Sequence, residues 1–253
     1  MPLLDKYDLY GRAAQSPERD VLFYRELVRE LKGRPPKRLR EDFCGAFALC
    51  RAWARLAPGN RAFGLDLDPE PLAYGRRFLA ALPAHTRARV KIDRRDVLAP
   101  GGPPCDLILA MNFSYFALKE RARLKRYFVN ARKSLRPGGV LVVDAFGGPG
   151  VHRPNSEKTD HGEFTYYWQQ YDFDPLTHFA RCAMHFKPKG RRKVKDVFTY
   201  DWRLWTIAET RELMAEAGFR KSSVYWQDDD GRFARDPRGG REEVWVALIA
   251  AER

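Results

Sequence analysis

Three carboxylates, Glu41, Asp66 and Asp96, stand at or just beyond the ends of short strand-like runs. A side chain in that position sits at the edge of a sheet, where ligands of open α/β sheets bind. The first belongs to Glu41-Asp42-Phe43-Cys44-Gly45-Ala46-Phe47, in which Gly45 opens a helical pattern. Glycine allows close backbone approach to a ligand, and the free amides of a helix start favour a carboxylate. Asp66 follows Gly45 by 21 residues, a spacing that sets a carboxylate beside a ribose diol. Asp96 stands just beyond the third such run. Phe43, Leu67, Val97 and Met111 neighbour these positions and are expected to flank the same ligand.

The elements that must hold these residues can be read from periodicity. Pro17 to Lys32 places Val21, Leu22, Tyr24, Leu27, Val28 and Leu31 at the steps of one helical face, and Gly33-Arg34-Pro35-Pro36 stops it. Strands are predicted over Lys37–Asp42, Arg61–Asp66, Val90–Arg94, Asp106–Met111 and Val140–Asp144. Helices are predicted between them, over Gly45–Ala57, Pro69–Leu82 and Lys119–Leu135. The last ends in Leu135-Arg136-Pro137-Gly138-Gly139, where proline lacks the amide donor and glycine tolerates positive φ. Val140 to Val143 then shows no alternation, as expected of a strand buried on both faces. Such alternation of strand and helix implies an α/β fold with a Rossmann-like, mostly parallel sheet and helices on both faces.

After residue 150 the grammar changes. Phe164 to Leu204 is aromatic and alternating, with turns at Asp174-Pro175 and Lys189-Gly190, which predicts two or three antiparallel strands forming a hairpin lid after the fifth strand. A final helix (Ile207–Ala217) and closing strands (Ser222–Trp226, Val244–Ala250) follow. The expectation is one domain over 1–253: a helical cap (1–33), a ligand-binding core (34–150), the lid (151–205) and a closing unit (206–253). Tyr166, Trp168, Tyr200 and Arg203 in the lid are the candidates for contacting a second ligand. The competing reading is that these aromatics are the small sheet's own core.

With 253 residues, 44% of them hydrophobic, the chain can bury one substantial core. Its longest apolar run is far short of the roughly 20 residues of a membrane span, and the N-terminus lacks a basic segment followed by an apolar one. Cys44, Cys50, Cys105 and Cys182 form no CxxC pair and read as reduced thiols of a cytoplasmic protein. A net charge of +13 suits nucleic acid, but the arginines are scattered over every helix, as a compositional bias would leave them. The densest basic run, Lys187 to Lys195, reads first as a solvated hairpin tip. Nothing sets the oligomeric state.

Taken together, the acidic loop at Glu41–Phe47, Asp66, Asp96 and the Pro-Gly-Gly strand resemble the class I S-adenosylmethionine-dependent methyltransferases. The resemblance runs from about Leu39 to Asp144, with a weaker tail around Glu209–Ala250, and implies that Asp96 accepts from the cofactor's adenine amino group. It implies S-adenosylmethionine as cofactor and methyl transfer to nitrogen or oxygen of a small-molecule acceptor. The family's loop carries an acid followed by three alternating glycines; here Phe43 and Phe47 replace the outer two, which puts turnover in doubt. The resemblance further suggests that Tyr10 and Arg12 fold over the cofactor, an aromatic face meeting the sulfonium and a guanidinium the methionine carboxylate. Asn112 and Tyr115, after the fourth strand, would border the methyl group. His161 is a candidate base, and no histidine has metal-ligand spacing. Two alternatives stand beside this reading: a methyltransferase acting on RNA or protein, and a non-catalytic binding protein that kept the fold.

Overall fold

The computed structural model describes residues 5–236 and 239–253. Asp5 caps α1 (Lys6–Ala14), its carboxylate accepting from the Tyr7 amide at 2.9 Å. Pro17, harmless in a first turn, opens α2 (Pro17–Lys32), and Gly33 ends it in the left-handed region. There follow β1 (Arg38–Asp42), α3 (Ala48–Leu56), β2 (Arg61–Asp66), α4 (Pro69–Ala80), α5 (Ala84–Arg87), β3 (Val90–Arg94), β4 (Cys105–Ala110), α6 (Arg121–Ser134) and β5 (Leu135–Gly147). A second group contains β6 (Asn155–Asp160), β7 (Phe164–Gln170), β8 (Phe179–Pro188) and β9 (Val194–Arg203). The chain closes with α7 (Ile207–Glu216), β10 (Lys221–Gln227), β11 (Phe233–Ala234) and β12 (Trp245–Glu252).

The main sheet has eight strands in the order β11-β10-β12-β5-β4-β1-β2-β3. Its five strands from β5 to β3 pair in parallel, and β12 and β10 close it antiparallel. Consecutive residues of β4 and β5 alternate between two cores. Leu107, Leu109, Val140 and Val142 pack toward α2 and α3, whereas Ile108, Ala110, Leu141 and Val143 pack toward α6 and α7. That two-sided burial is why these runs lack polar alternation.

The mostly parallel α/β architecture and the separate antiparallel sheet agree with the sequence reading; several boundaries do not. The antiparallel sheet has four strands, ordered β6-β7-β8-β9, not two or three. The additional one, β6, is Asn-Ser-Glu-Lys-Thr-Asp, and no apolar face marks it because it is an exposed edge. β5 is also longer than expected, continuing past Asp144 to pair with β12 as far as Gly147 against Trp245. The second sheet is not a loose flap: its Ala180, Cys182 and Trp202 belong to the same apolar cluster as α6, α7 and β5. α1 lies on it, with Leu9 packed against Phe164, Met184 and Phe186.

Candidate active site

The sheet order reverses between β1 and β4, and there the carboxyl ends of β1, β2 and β4 open into a cavity of about 300 Å³. Its walls include Glu41, Phe43, Gly45, Asp66, Met111 and Asn112, with Tyr10 and Tyr200 closing it from α1 and the second sheet. Its walls carry five acids; Asp42 pairs with buried Arg40 at 2.8 Å and Glu70 with Lys6, the one cation among the described lining residues, at 2.6 Å, which leaves Glu41, Asp66 and Asp68. A cavity of that charge favours a cationic ligand.

The loop between β1 and α3 explains how this cavity forms without the expected glycines. Phe43, Gly45 and Phe47 take φ of 55°, 50° and 46°, three alternating left-handed residues. For a side-chain-bearing residue that conformation costs about 1–2 kcal/mol. Burying a phenylalanine returns about 1.5–3 kcal/mol, and Phe47 is fully buried while Phe43 packs on Tyr127 at 5.7 Å. Packing therefore holds the turn that glycine would otherwise permit. Phe47 has room because Gly75 faces it: a Cβ there would come within 2.5 Å of the ring.

Because of this turn α3 begins at Ala48, three residues later than expected. The amides expected to be free for a ligand carboxylate are used internally. Gly45 N–H donates to Asp66 Oδ2 at 2.7 Å, and Cys50 N–H to Glu41 Oε2 at 2.9 Å. Asp66 Oδ1 also accepts from the Asp68 amide at 2.9 Å, so its carboxylate is fixed on the cavity wall. On the other side, Asp144 accepts from the amides of Asn112 at 2.7 Å and Phe113 at 2.8 Å. Those two residues are also left-handed, at φ 60° and 57°.

Burial pushes Glu41 up from 4.5 to about 7, and Asp144 from 3.8 to about 7. The folded protein thus holds these protons more tightly than the unfolded chain does. Their contribution to stability is full below about pH 4 and is lost as pH rises through about 7, on the order of 3 kcal/mol apiece. A cation in the cavity favours ionised Glu41 and lowers its pKa. Binding of S-adenosylmethionine should therefore tighten as pH rises toward 7 and release a proton. Calorimetry in buffers of different ionisation enthalpy reads that proton directly, and Glu41→Gln should abolish it; release that persists in the variant would assign it to another group.

A second cavity of about 200 Å³ adjoins the first, sharing Tyr10, Asn112 and Tyr200 with it. Phe113, Phe146, Trp168 and Trp202 form its aromatic wall, with centroid separations from 4.8 Å (Phe113–Phe146) to 6.3 Å (Phe146–Trp168). Tyr166 and Met184 complete that side, and Glu157 on β6 is the charged residue bordering the cavity. Sequence reading passed over Glu157 because nothing in its polar strand marks the direction it faces.

Of the residues singled out from sequence, Tyr10, Glu41, Phe43, Gly45, Asp66, Met111 and Asn112 meet around the first cavity, and Tyr166, Trp168 and Tyr200 around the second. The others are placed elsewhere. Arg12 pairs with Glu163 at 2.6 Å and stacks over Phe164. Arg203 pairs with Glu209 at 3.0 Å, where it joins the capping box of α7, and lies over Trp205. His161 stacks on Phe164 at 4.8 Å, away from both cavities, and Tyr115 is wholly buried against Phe116. Asp96 turns inward to accept from the Leu98 amide at 2.8 Å, Val97 is buried beside it, and Leu67 is 58% exposed; none of the three lines the first cavity.

The acidic cavity fits S-adenosylmethionine, which carries a sulfonium and an ammonium. Asp66 would hold the ribose diol, Tyr10 and Met111 would flank the cofactor, and Glu41 would supply the charge that buried cations require. Among the described residues no group of three or more His, Cys, Asp or Glu side chains could hold a metal ion. No helix among them is long and apolar enough to cross a membrane. The basic hairpin tip is not isolated: Lys189, Arg191 and Arg192 border a groove with Asp5, Glu70 and Glu163, and Lys193 lies 3.8 Å over Tyr167.

Residues 44–141 match the family model of a methyltransferase domain. No curated protein matches the sequence. Among solved structures, CalS10 from Micromonospora echinaspora, an amino pentose methyltransferase solved with S-adenosylmethionine bound, is similar with a TM-score of 0.72 at 19% identity, over 100% of this chain and 98% of that one. DesVI from Streptomyces venezuelae gives a TM-score of 0.72 at 19% identity, over 98% and 96%. KedS8 from Streptoalloteichus sp ATCC 53650, a sugar N-methyltransferase, gives 0.65 at 20%, over 100% and 94%. At such identities the likeness is one of fold. The matched methyltransferase domain thus covers most of the strands and loops that build the acidic cavity, and the fold around it is shared with these solved structures.

Proposed function

We propose that the chain is a class I S-adenosylmethionine-dependent methyltransferase that acts on the nitrogen of a small-molecule amine held beneath the antiparallel sheet. The observation that carries this reading is the second cavity, an aromatic chamber bordered by one carboxylate, Glu157, and sharing Tyr10, Asn112 and Tyr200 with the first cavity. Aromatic faces attract cations by about 0.5–2 kcal/mol each, and a carboxylate adds a charge-assisted contact. Together they suit an ammonium in equilibrium with its free amine. The amino pentose and sugar N-methyl acceptors of CalS10 and KedS8 support the same class. The four cysteines, buried and free, support a reducing, cytoplasmic setting. The apolar cluster shared between the sheets supports a single domain.

When bound, S-adenosylmethionine supplies an electrophilic methyl group on a positively charged sulfur. The chain's task is alignment and exclusion of water. Asn112, fixed from behind by Asp144, stands with Tyr10 and Tyr200 at the passage between cofactor and acceptor. The acceptor must shed its ammonium proton before its nitrogen can attack the methyl group. Glu157, exposed on its edge strand, draws the acceptor in and leaves its proton a path to solvent.

Glu157→Gln is expected to raise KM for an amine acceptor by roughly ten-fold, the size of one charge-assisted contact, with little change in kcat. Steady-state kinetics on a panel of amino sugars and their hydroxyl counterparts tests this. Equal effects on both sets, or none, would remove the carboxylate from acceptor recognition.

A further inference from the structure

The opposite end of the parallel sheet carries a second concentration of chemistry. A recess of about 560 Å³ lies where the chain enters β1, β2 and β5, and six cations surround it: Lys32, Arg34, Lys37, Arg38, Arg61 and Arg136. Asp106 is the acid in its wall. That carboxylate is already engaged, accepting from the amides of Lys37 at 3.0 Å and Arg38 at 2.9 Å and lying 3.7 Å from Arg136. Lys32 pairs with Glu252. Arg34, Lys37, Arg38 and Arg61 have no acidic partner within 4.0 Å among the described residues.

Arg38 and Arg61 are register partners on adjacent parallel strands. Their side chains leave the same face of the sheet about 5 Å apart. Like charges placed directly across a sheet repel, and the arrangement gains only when a shared counter-ion lies between them. Glu41, on the same strand as Arg38 but at the other edge, marks the cofactor cavity, about 10 Å further along at 3.3 Å per residue. The two sites are therefore distinct.

We propose that this recess binds a small molecule bearing two or more phosphates. Guanidinium groups match phosphate oxygens in bidentate geometry, and three of the four cations without acidic partners are arginines. Its volume lies within the roughly 300–1,000 Å³ of small-ligand sites. The six cations line one recess of small-ligand size, which suits a compact polyphosphate better than a polymer backbone.

Inorganic tripolyphosphate is the probe, titrated calorimetrically into the full chain at physiological salt, with cofactor binding and thermal unfolding as checks on folding. Saturable binding is expected, and Arg38→Gln with Arg61→Gln should weaken it roughly 10- to 100-fold, as expected for lost charge-assisted contacts. Arg34→Gln, in the loop outside the strands, should weaken it about three-fold and serves if the double variant fails to fold. Arg191→Gln with Arg192→Gln at the hairpin tip should leave it unchanged. No saturable binding, or loss through the tip variant and not the recess variants, overturns the proposal. Tighter binding of an RNA oligonucleotide with a steep salt slope overturns it in favour of a polymer.

Discussion

Asp66→Ala is expected to weaken S-adenosylmethionine binding by about 100- to 1,000-fold. Two losses combine. A carboxylate contacting a diol contributes about 1.5–3 kcal/mol, and the same carboxylate also holds the Gly45 and Asp68 amides at 2.7 and 2.9 Å. Without it the Phe43–Phe47 turn loses a tether and its three left-handed residues lose part of their support. Asp66→Asn, which keeps one acceptor oxygen, should fall between the two proteins. Isothermal titration on variants with unchanged unfolding curves decides it; an Asp66→Ala protein that binds within a few-fold of the parent means the ribose is held elsewhere.

Asp144→Ala should cost about 3–5 kcal/mol of stability and most of the activity. The side chain is 8% exposed and satisfies two amides at 2.7 and 2.8 Å. Each orphaned donor costs about 1–3 kcal/mol, and the residues carrying them are already held in left-handed backbone. Asn112 should then shift within the passage between the cavities, lowering kcat more than it changes KM. Asp144→Asn keeps one acceptor and should lose about half as much stability. Urea unfolding and steady-state rates measured on the same preparations separate the two effects. A variant as stable as the parent would show that the loop does not depend on this carboxylate.

The middle of the sheet was legible because β4 and β5 are buried on both faces, and a run such as Val140 to Val143 has few other uses in a chain of this size. Glu41, Gly45 and Asp66 were legible from spacing, since the ends of adjacent parallel strands must converge. Side-chain partners were not. Arg12 turns to Glu163 and Arg203 to Glu209, and each of those acids comes from a segment whose position depends on the tertiary fold or on a cap. The Phe43–Phe47 turn misled in a different way. Glycine is the residue that makes left-handed backbone inexpensive, but packing can impose the same geometry, and the facing gap at Gly75 that permits it lies 28 residues beyond Phe47. β6 stayed hidden because an edge strand with solvent on its outer side needs no apolar residues.

The position of Glu157 on that edge also bears on how the enzyme can change over time. Every residue of β6 is at least partly exposed, and the strand pairs only with β7. Substitutions on such a strand usually shift stability by less than about 0.5 kcal/mol, whereas replacing Trp202 or Phe146 empties part of the main core at several times that cost. With β6 bordering the acceptor as proposed, acceptor preference could drift one residue at a time along it without passing through unstable intermediates. The cofactor pocket, whose parts are braced by buried carboxylates and a strained turn, has no such latitude. A lineage built on this chain would be expected to diversify in what it methylates long before it altered how it holds the methyl donor.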